Sequence, residues 1–79
     1  MKLPRDISGN ELANALSKHW GYARIHQIGS HIVLQCEEPE PHRISIPAHR
    51  SLRVGTLSAI LRSVATHKKV SRDEIIASL

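Results

Sequence analysis

The chain is 79 residues long with eleven Lys and Arg, seven Asp and Glu, six His and a formal charge of +4. That length supports one domain, spanning 1–79, and a domain this small buries only about two-thirds of its extended-chain surface, which excludes a large substrate cavity. Three of the seven acids, Glu37, Glu38 and Glu40, share one proline-flanked segment, so the rest of the chain carries about +7. An excess of that size attracts polyanions, and nucleic acid is the expected partner.

No apolar run reaches the roughly 18 residues a membrane span needs, and no signal-peptide layout is seen, so no membrane association and a cytoplasmic location are expected. Cys36 is the single cysteine, which excludes an internal disulfide and a cysteine-pair zinc framework and suits strand packing. There is no His-x-x-x-His either, so no metal or other cofactor is expected.

In chain order, Ser8-Gly9-Asn10-Glu11 has capping-box spacing, and Leu12, Ala13, Ala15 and Leu16 form an apolar stripe, which predicts a helix over about 8–18. Trp20-Gly21-Tyr22 ends it. From Tyr22 to Ile28 the chain alternates imperfectly, predicting a strand with Ala23 and Ile25 on one face and a basic face of Arg24 and His26 on the other. Gly29-Ser30 breaks the run before His31 to Cys36, whose Ile32, Val33 and Leu34 predict the second arm of a β-hairpin.

Pro39 and Pro41 lack the amide a ladder needs, so pairing is expected to resume only at Arg43-Ile44-Ser45-Ile46, before Pro47. Leu57, Ile60, Leu61 and Val64 have helical spacing over about 56–66, with Gly55 or Thr56 as N-cap. Ser71-Arg72-Asp73-Glu74 repeats the capping-box spacing ahead of Ile75, Ile76 and Leu79, giving a short last helix. The predicted class is α+β: order α-β-β-β-α-α, with one apolar face of a three-stranded antiparallel sheet under the first two helices.

The ordered set Leu3-Pro4, Ser8-Gly9, Trp20-Gly21-Tyr22, Gly29-Ser30-His31, Ile46-Pro47-Ala48-His49, Gly55-Thr56-Leu57 with Ile60-Leu61, and Val70-Ser71 with Glu74-Ile75 resembles the HicA (YcfA-type) family over nearly the whole chain. The family's members are messenger-RNA interferase toxins of toxin-antitoxin systems. The resemblance implies a fold similar to the double-stranded-RNA-binding domain, metal-independent endoribonuclease activity, catalysis by His31 and neutralisation by a HicB-type antitoxin protein. Three departures stand out: Ile32 where members often have a second histidine, Val54 where they often have proline, and the acidic segment 37–41.

RNA cleavage needs no metal when the ribose 2′-OH is the nucleophile. A base takes its proton, an acid protonates the leaving 5′-oxygen, and cations hold the phosphate. Histidine suits either proton-transfer role because its ordinary pKa of about 6.5 leaves both forms populated near neutrality. His31 is the expected catalytic group, Ser30 is expected to orient the phosphate, and Arg24 with Arg50 or Arg53 is expected to supply positive charge. His49 and His26 are weaker candidates for a second proton-transfer group, and Trp20 and Tyr22 read better as packing than as base-stacking platforms.

The alternative is a non-catalytic RNA-binding module of the same fold, which clamps duplex phosphates. Thr56-Leu57-Ser58-Ala59-Ile60 offers no basic residue for that clamp. A third reading is a basic face that docks an acidic protein.

Overall fold

The computed structural model of the chain describes residues 2–79. The elements are α1 (Gly9–His19), β1 (Ala23–Ile28), β2 (His31–Cys36), β3 (His42–Pro47), α2 (Val54–Lys68) and α3 (Arg72–Ala77). This is the expected α+β order, and the three strands form one antiparallel sheet in the order β1-β2-β3. No helix among the described residues is long and apolar enough to cross a membrane.

Local chemistry accounts for most of the boundaries. Ser8 and Glu11 form the capping box reciprocally: Ser8 Oγ accepts the Glu11 amide and Glu11 Oε1 accepts the Ser8 amide, both at 3.0 Å. Two of the four free amides at the start of α1 are thereby satisfied or shielded. Ser71 Oγ accepts the Glu74 amide at 3.1 Å and starts α3 in the same way. Gly29 turns the β1–β2 hairpin at φ +56°, a conformation that favours glycine.

α2 starts two residues before the expected position. Arg53, extended at φ −67° and ψ 146°, is its N-cap, and no side chain caps the helix there. The packing of Leu57, Ile60, Leu61 and Val64 holds the helix in place of a capping side chain. β3 is also longer than expected by one residue at each end, because His42 pairs with Cys36 and Pro47 with His31. Pro47 is tolerated because β3 is an edge strand and Pro47 is its last residue.

The strand faces follow from the registers, since residues directly opposite in an antiparallel pair share a face. Ile32, Leu34 and Cys36 of β2 and Ile44 and Ile46 of β3 face the helices and form the core with Leu12, Leu16, Leu57, Leu61, Val64 and Ile75. His31, Val33 and Gln35, with Pro47, Ser45 and Arg43 opposite them, form the helix-free face. α1 lies across all three strands, α2 lies on β3, and α3 packs on α2. Trp20 caps this packing, its indole N–H donating to Ser78 Oγ at 2.8 Å, and Tyr22 is 3% exposed.

β1 departs from the regular alternation expected of it. A bulge between Arg24 and His26 shifts the register, so Arg24 pairs with Leu34 while His26 pairs with Val33. The extra residue flips the side-chain parity. Arg24 therefore shares the helix-covered face with Leu34, and His26 shares the open face with Val33; the single basic face predicted for this strand is split.

Candidate functional site

His31 is the first residue of β2 and is exposed on the helix-free face. Its backbone is fixed from both sides, opposite Ile28 in β1 and Pro47 in β3. The side chain thus projects from the central strand of a three-stranded sheet and not from a loop. Ser30, exposed in the turn before it, accepts the Ala48 amide through its carbonyl. That bond draws the exit of β3 alongside the hairpin, so Ser30, His31, Pro47, Ala48 and His49 gather at one end of the sheet.

α1 braces the same end. The Gly9 amide donates to the His49 carbonyl at 2.9 Å, and a Cβ at Gly9 would lie 1.9 Å from the Pro47 carbonyl oxygen. Only glycine permits this approach of helix to strand end. The sequence-level Ser8-Gly9 and Pro47-Ala48-His49 pieces are therefore two halves of one contact.

The expected cations do not all converge on His31. Arg24 is held against α1: its guanidinium donates to Asn10 Oδ1 at 3.1 Å, to the Asn10 carbonyl at 3.3 Å and to Asn14 Oδ1 at 2.9 Å. It lies on the opposite face of the sheet from His31. Arg50 is exposed one residue beyond His49, at the His31 end. Arg53 is exposed at the start of α2, where it lines a surface groove with Pro4, Asp6 and Ser51. His26 is on the open face opposite Val33, two register positions before Ile28, the β1 partner of His31.

The open face also carries Arg43, which sequence reasoning did not single out. Arg43 Nε and Nη2 donate to Gln35 Oε1 at 3.0 and 2.9 Å, and Gln35 Nε2 donates to Glu37 Oε1 at 2.8 Å. It stands four residues along β3 from Pro47, roughly 13 Å at about 3.3 Å per residue. Strand alternation from Ile44 and Ile46 is the signal that places it on the open face.

A second constellation lies at the other end of the sheet and on its covered side. Cys36 Sγ and one ring nitrogen from each of His42 and His67 lie within 4.8 Å of one another. The two imidazoles stack with centroids 4.3 Å apart and planes 20° apart. His42 Nδ1 is 2.8 Å from Tyr22 Oη and its Nε2 is 3.3 Å from Ser63 Oγ. Burial lowers the His42 pKa below its ordinary 6.5, and the neighbouring His67 and Lys68 charges act in the same direction. Burial, with Cys36 beside it, raises that of Tyr22.

His67 Nε2 is buried without a hydrogen-bond partner among the described residues. Leaving such an atom unsatisfied costs about 1–3 kcal/mol. No motif spacing announces this cluster, because its members come from β2, β3 and α2. Counting the hairpin register across residues 37–41 would have paired Cys36 with His42, but His67 is brought in only by tertiary packing.

No protein-family model, no curated protein and no solved structure matches this chain.

Proposed function

We propose that this protein is a HicA-like RNA endonuclease in which His31 transfers a proton during attack of a ribose 2′-OH on the adjacent phosphorus. The observation that carries the reading is the placement of His31. It is exposed on the helix-free face, its backbone is locked between two strands, and the Ser30 turn and the β3 exit lie beside it. A proton-transfer group anchored on a strand is held to its geometry better than one on a loop, and such a group contributes about 10²–10⁴ in rate.

The reaction forms a bond between the 2′-oxygen and phosphorus and breaks the bond to the 5′-oxygen. It leaves a 2′,3′-cyclic phosphate and a 5′-hydroxyl, and the 2′-OH proton leaves as the 5′-oxygen gains one. His31 serves one of these transfers and solvent the other. Arg50 supplies positive charge at that end and Arg43 holds the strand further along the open face, in keeping with the +4 net charge. Ile28, opposite His31 and 64% exposed, gives an inhibitory partner of the HicB antitoxin type an apolar contact with which to cover the imidazole.

The test is cleavage of a labelled single-stranded RNA in excess EDTA by the wild type and by His31→Ala, with a 2′-deoxy analogue as control. The wild type should cut only the ribose substrate, and the variant should lose at least about 100-fold in rate while keeping its fold. Equal cleavage by the folded variant removes His31 from the mechanism. RNA binding without cutting replaces the enzyme by an RNA-binding module.

A further inference from the structure

The Cys36, His42 and His67 cluster has no part in the chemistry proposed at His31. It lies at the opposite end of β3 and on the covered face. Cys36 ends β2, His42 begins β3 as its register partner, and His67 is in the last turn of α2. Cys36 is 2% exposed, both imidazoles are half-buried, and one of the four imidazole nitrogens, His67 Nε2, is buried and unpartnered.

Packing alone gives no reason for a buried, orphaned ring nitrogen beside a thiol and a second imidazole. One thiol and two imidazoles are, however, a donor set suited to a borderline-soft divalent cation. We propose that Cys36 Sγ, His42 and His67 bind one Zn²⁺ ion, which joins the end of β2, the start of β3 and the C-terminal turn of α2.

The distances allow it. Zn–S of about 2.3 Å and Zn–N of about 2.0–2.1 Å in a tetrahedron put donor atoms roughly 3.4–3.6 Å apart. The present donors lie within 4.8 Å, so gaps of little more than 1 Å have to close, and one of the two stacked imidazoles has to turn out of the stack so that both in-plane lone pairs meet the metal. The outer shell is also in place. If His42 binds through Nε2, its Nδ1 keeps the Tyr22 hydroxyl; if through Nδ1, its Nε2 keeps the Ser63 hydroxyl.

Binding releases the Cys36 thiol proton to solvent and leaves a thiolate on the metal. That negative charge offsets the nearby Lys68 ammonium, which donates to the Glu38 carbonyl at 2.7 Å. Three protein ligands leave a fourth position. That position would be open to water, since His42 and His67 also border a groove of about 490 Å³ with Arg62, Ser63 and Thr66.

The probe is Co²⁺, added to untagged, reduced, chelator-treated protein and then displaced by Zn²⁺. The wild type should bind one equivalent with a thiolate-to-cobalt charge-transfer band and the visible bands of a tetrahedral site. A Zn²⁺ concentration of about 100 times Kd should raise the unfolding temperature by roughly 10 °C or more. Cys36→Ser should lose the charge-transfer band, and His67→Gln should weaken Zn²⁺ binding by more than about 100-fold. His31→Ala should bind as the wild type does. Should Cys36→Ser fail to fold, His67→Gln, altered at a half-buried position near the end of a helix, decides alone. A folded wild type without the band overturns the proposal. So does undiminished Zn²⁺ affinity in His67→Gln, which would trace binding to surface imidazoles.

Discussion

Gly9→Ala tests the contact that braces the His31 end of the sheet, and its effect can be worked out from the structure. Alanine is the better helix former by up to about 1 kcal/mol in a helix interior. Here its Cβ would lie 1.9 Å from the Pro47 oxygen, 2.9 Å from the Pro47 carbon and 3.1 Å from the Ala48 Cα, all backbone atoms that cannot rotate away. The start of α1 must therefore move off β3 by more than about 1 Å to reach even a tight contact, at an overpacking cost of about 1–3 kcal/mol. That movement stretches the 2.9 Å bond from the Gly9 amide to the His49 carbonyl, worth about 0.5–1.5 kcal/mol. The expected net loss is about 1–3 kcal/mol. A domain of this size shifts by about 4–8 °C per kcal/mol, so the midpoint should drop by roughly 5–25 °C in a thermal melt followed by circular dichroism. Gly55→Ala is the matched control. Gly55 lies in the first turn of α2 with nothing within 4 Å of an added Cβ, so that variant should be unchanged or stabilised by up to about 1 kcal/mol. Equal midpoints for the two variants would refute the claim that α1 and the exit of β3 are in direct backbone contact.

Three further perturbations separate the faces and ends of the sheet. Arg50→Ala should weaken RNA binding and reduce the salt slope of log K by about one, whereas Arg24→Ala, which removes the hydrogen bonds to Asn10 and Asn14, should lower the thermal midpoint and leave the salt slope as it is; a flattened slope for Arg24→Ala in a filter-binding or anisotropy titration would put RNA on the helix side. Metal-free protein should also lose stability on acidification through His42. Its folded pKa lies below the ordinary 6.5, so the unfolded chain binds more protons; the stabilisation is fully present above about 6.5 and is lost as pH falls through the folded value. Urea midpoints in EDTA between pH 8 and pH 5 should fall more steeply for the wild type than for His42→Gln, and parallel curves would show that His42 does not titrate differently in the two states.

What could be read from the sequence is what local chemistry determines. Ser8 and Glu11 fix the start of α1 because both halves of the capping box lie within four residues, and β2 was bounded by the Gly29-Ser30 break on one side and the proline segment on the other. The order of elements followed from such signals. The bulge at Ile25 did not, since one inserted residue leaves composition unchanged while moving Arg24 to the other face. The start of α2 was missed because Arg53 offers no capping side chain and the helix is fixed by its buried stripe. His31 was legible as a histidine following a turn. Its rigid mounting was not, because that depends on a pairing with Pro47 that the rule against proline in ladders argued against.

The two histidine sites place opposite demands on one small sheet, and the topology keeps them apart. The proton transfer proposed for His31 needs access to a polyanion, which the open face offers, and there the register puts His31, Ser45 and Arg43. The proposed metal clamp must hold separate elements together, so it belongs on the covered face, where Cys36 and His42 meet α2. Both sites hang on the same β2–β3 ladder, in which His31 opposite Pro47 and Cys36 opposite His42 are its two end pairs. A domain with so little core gains from a clamp at one end of that ladder, because fraying there would propagate toward the strand that carries His31. Zn²⁺ should therefore slow amide exchange along β2 and β3 as well as at the three ligands, and protection confined to residues 36, 42 and 67 would mean that the clamp and the His31 end are mechanically independent.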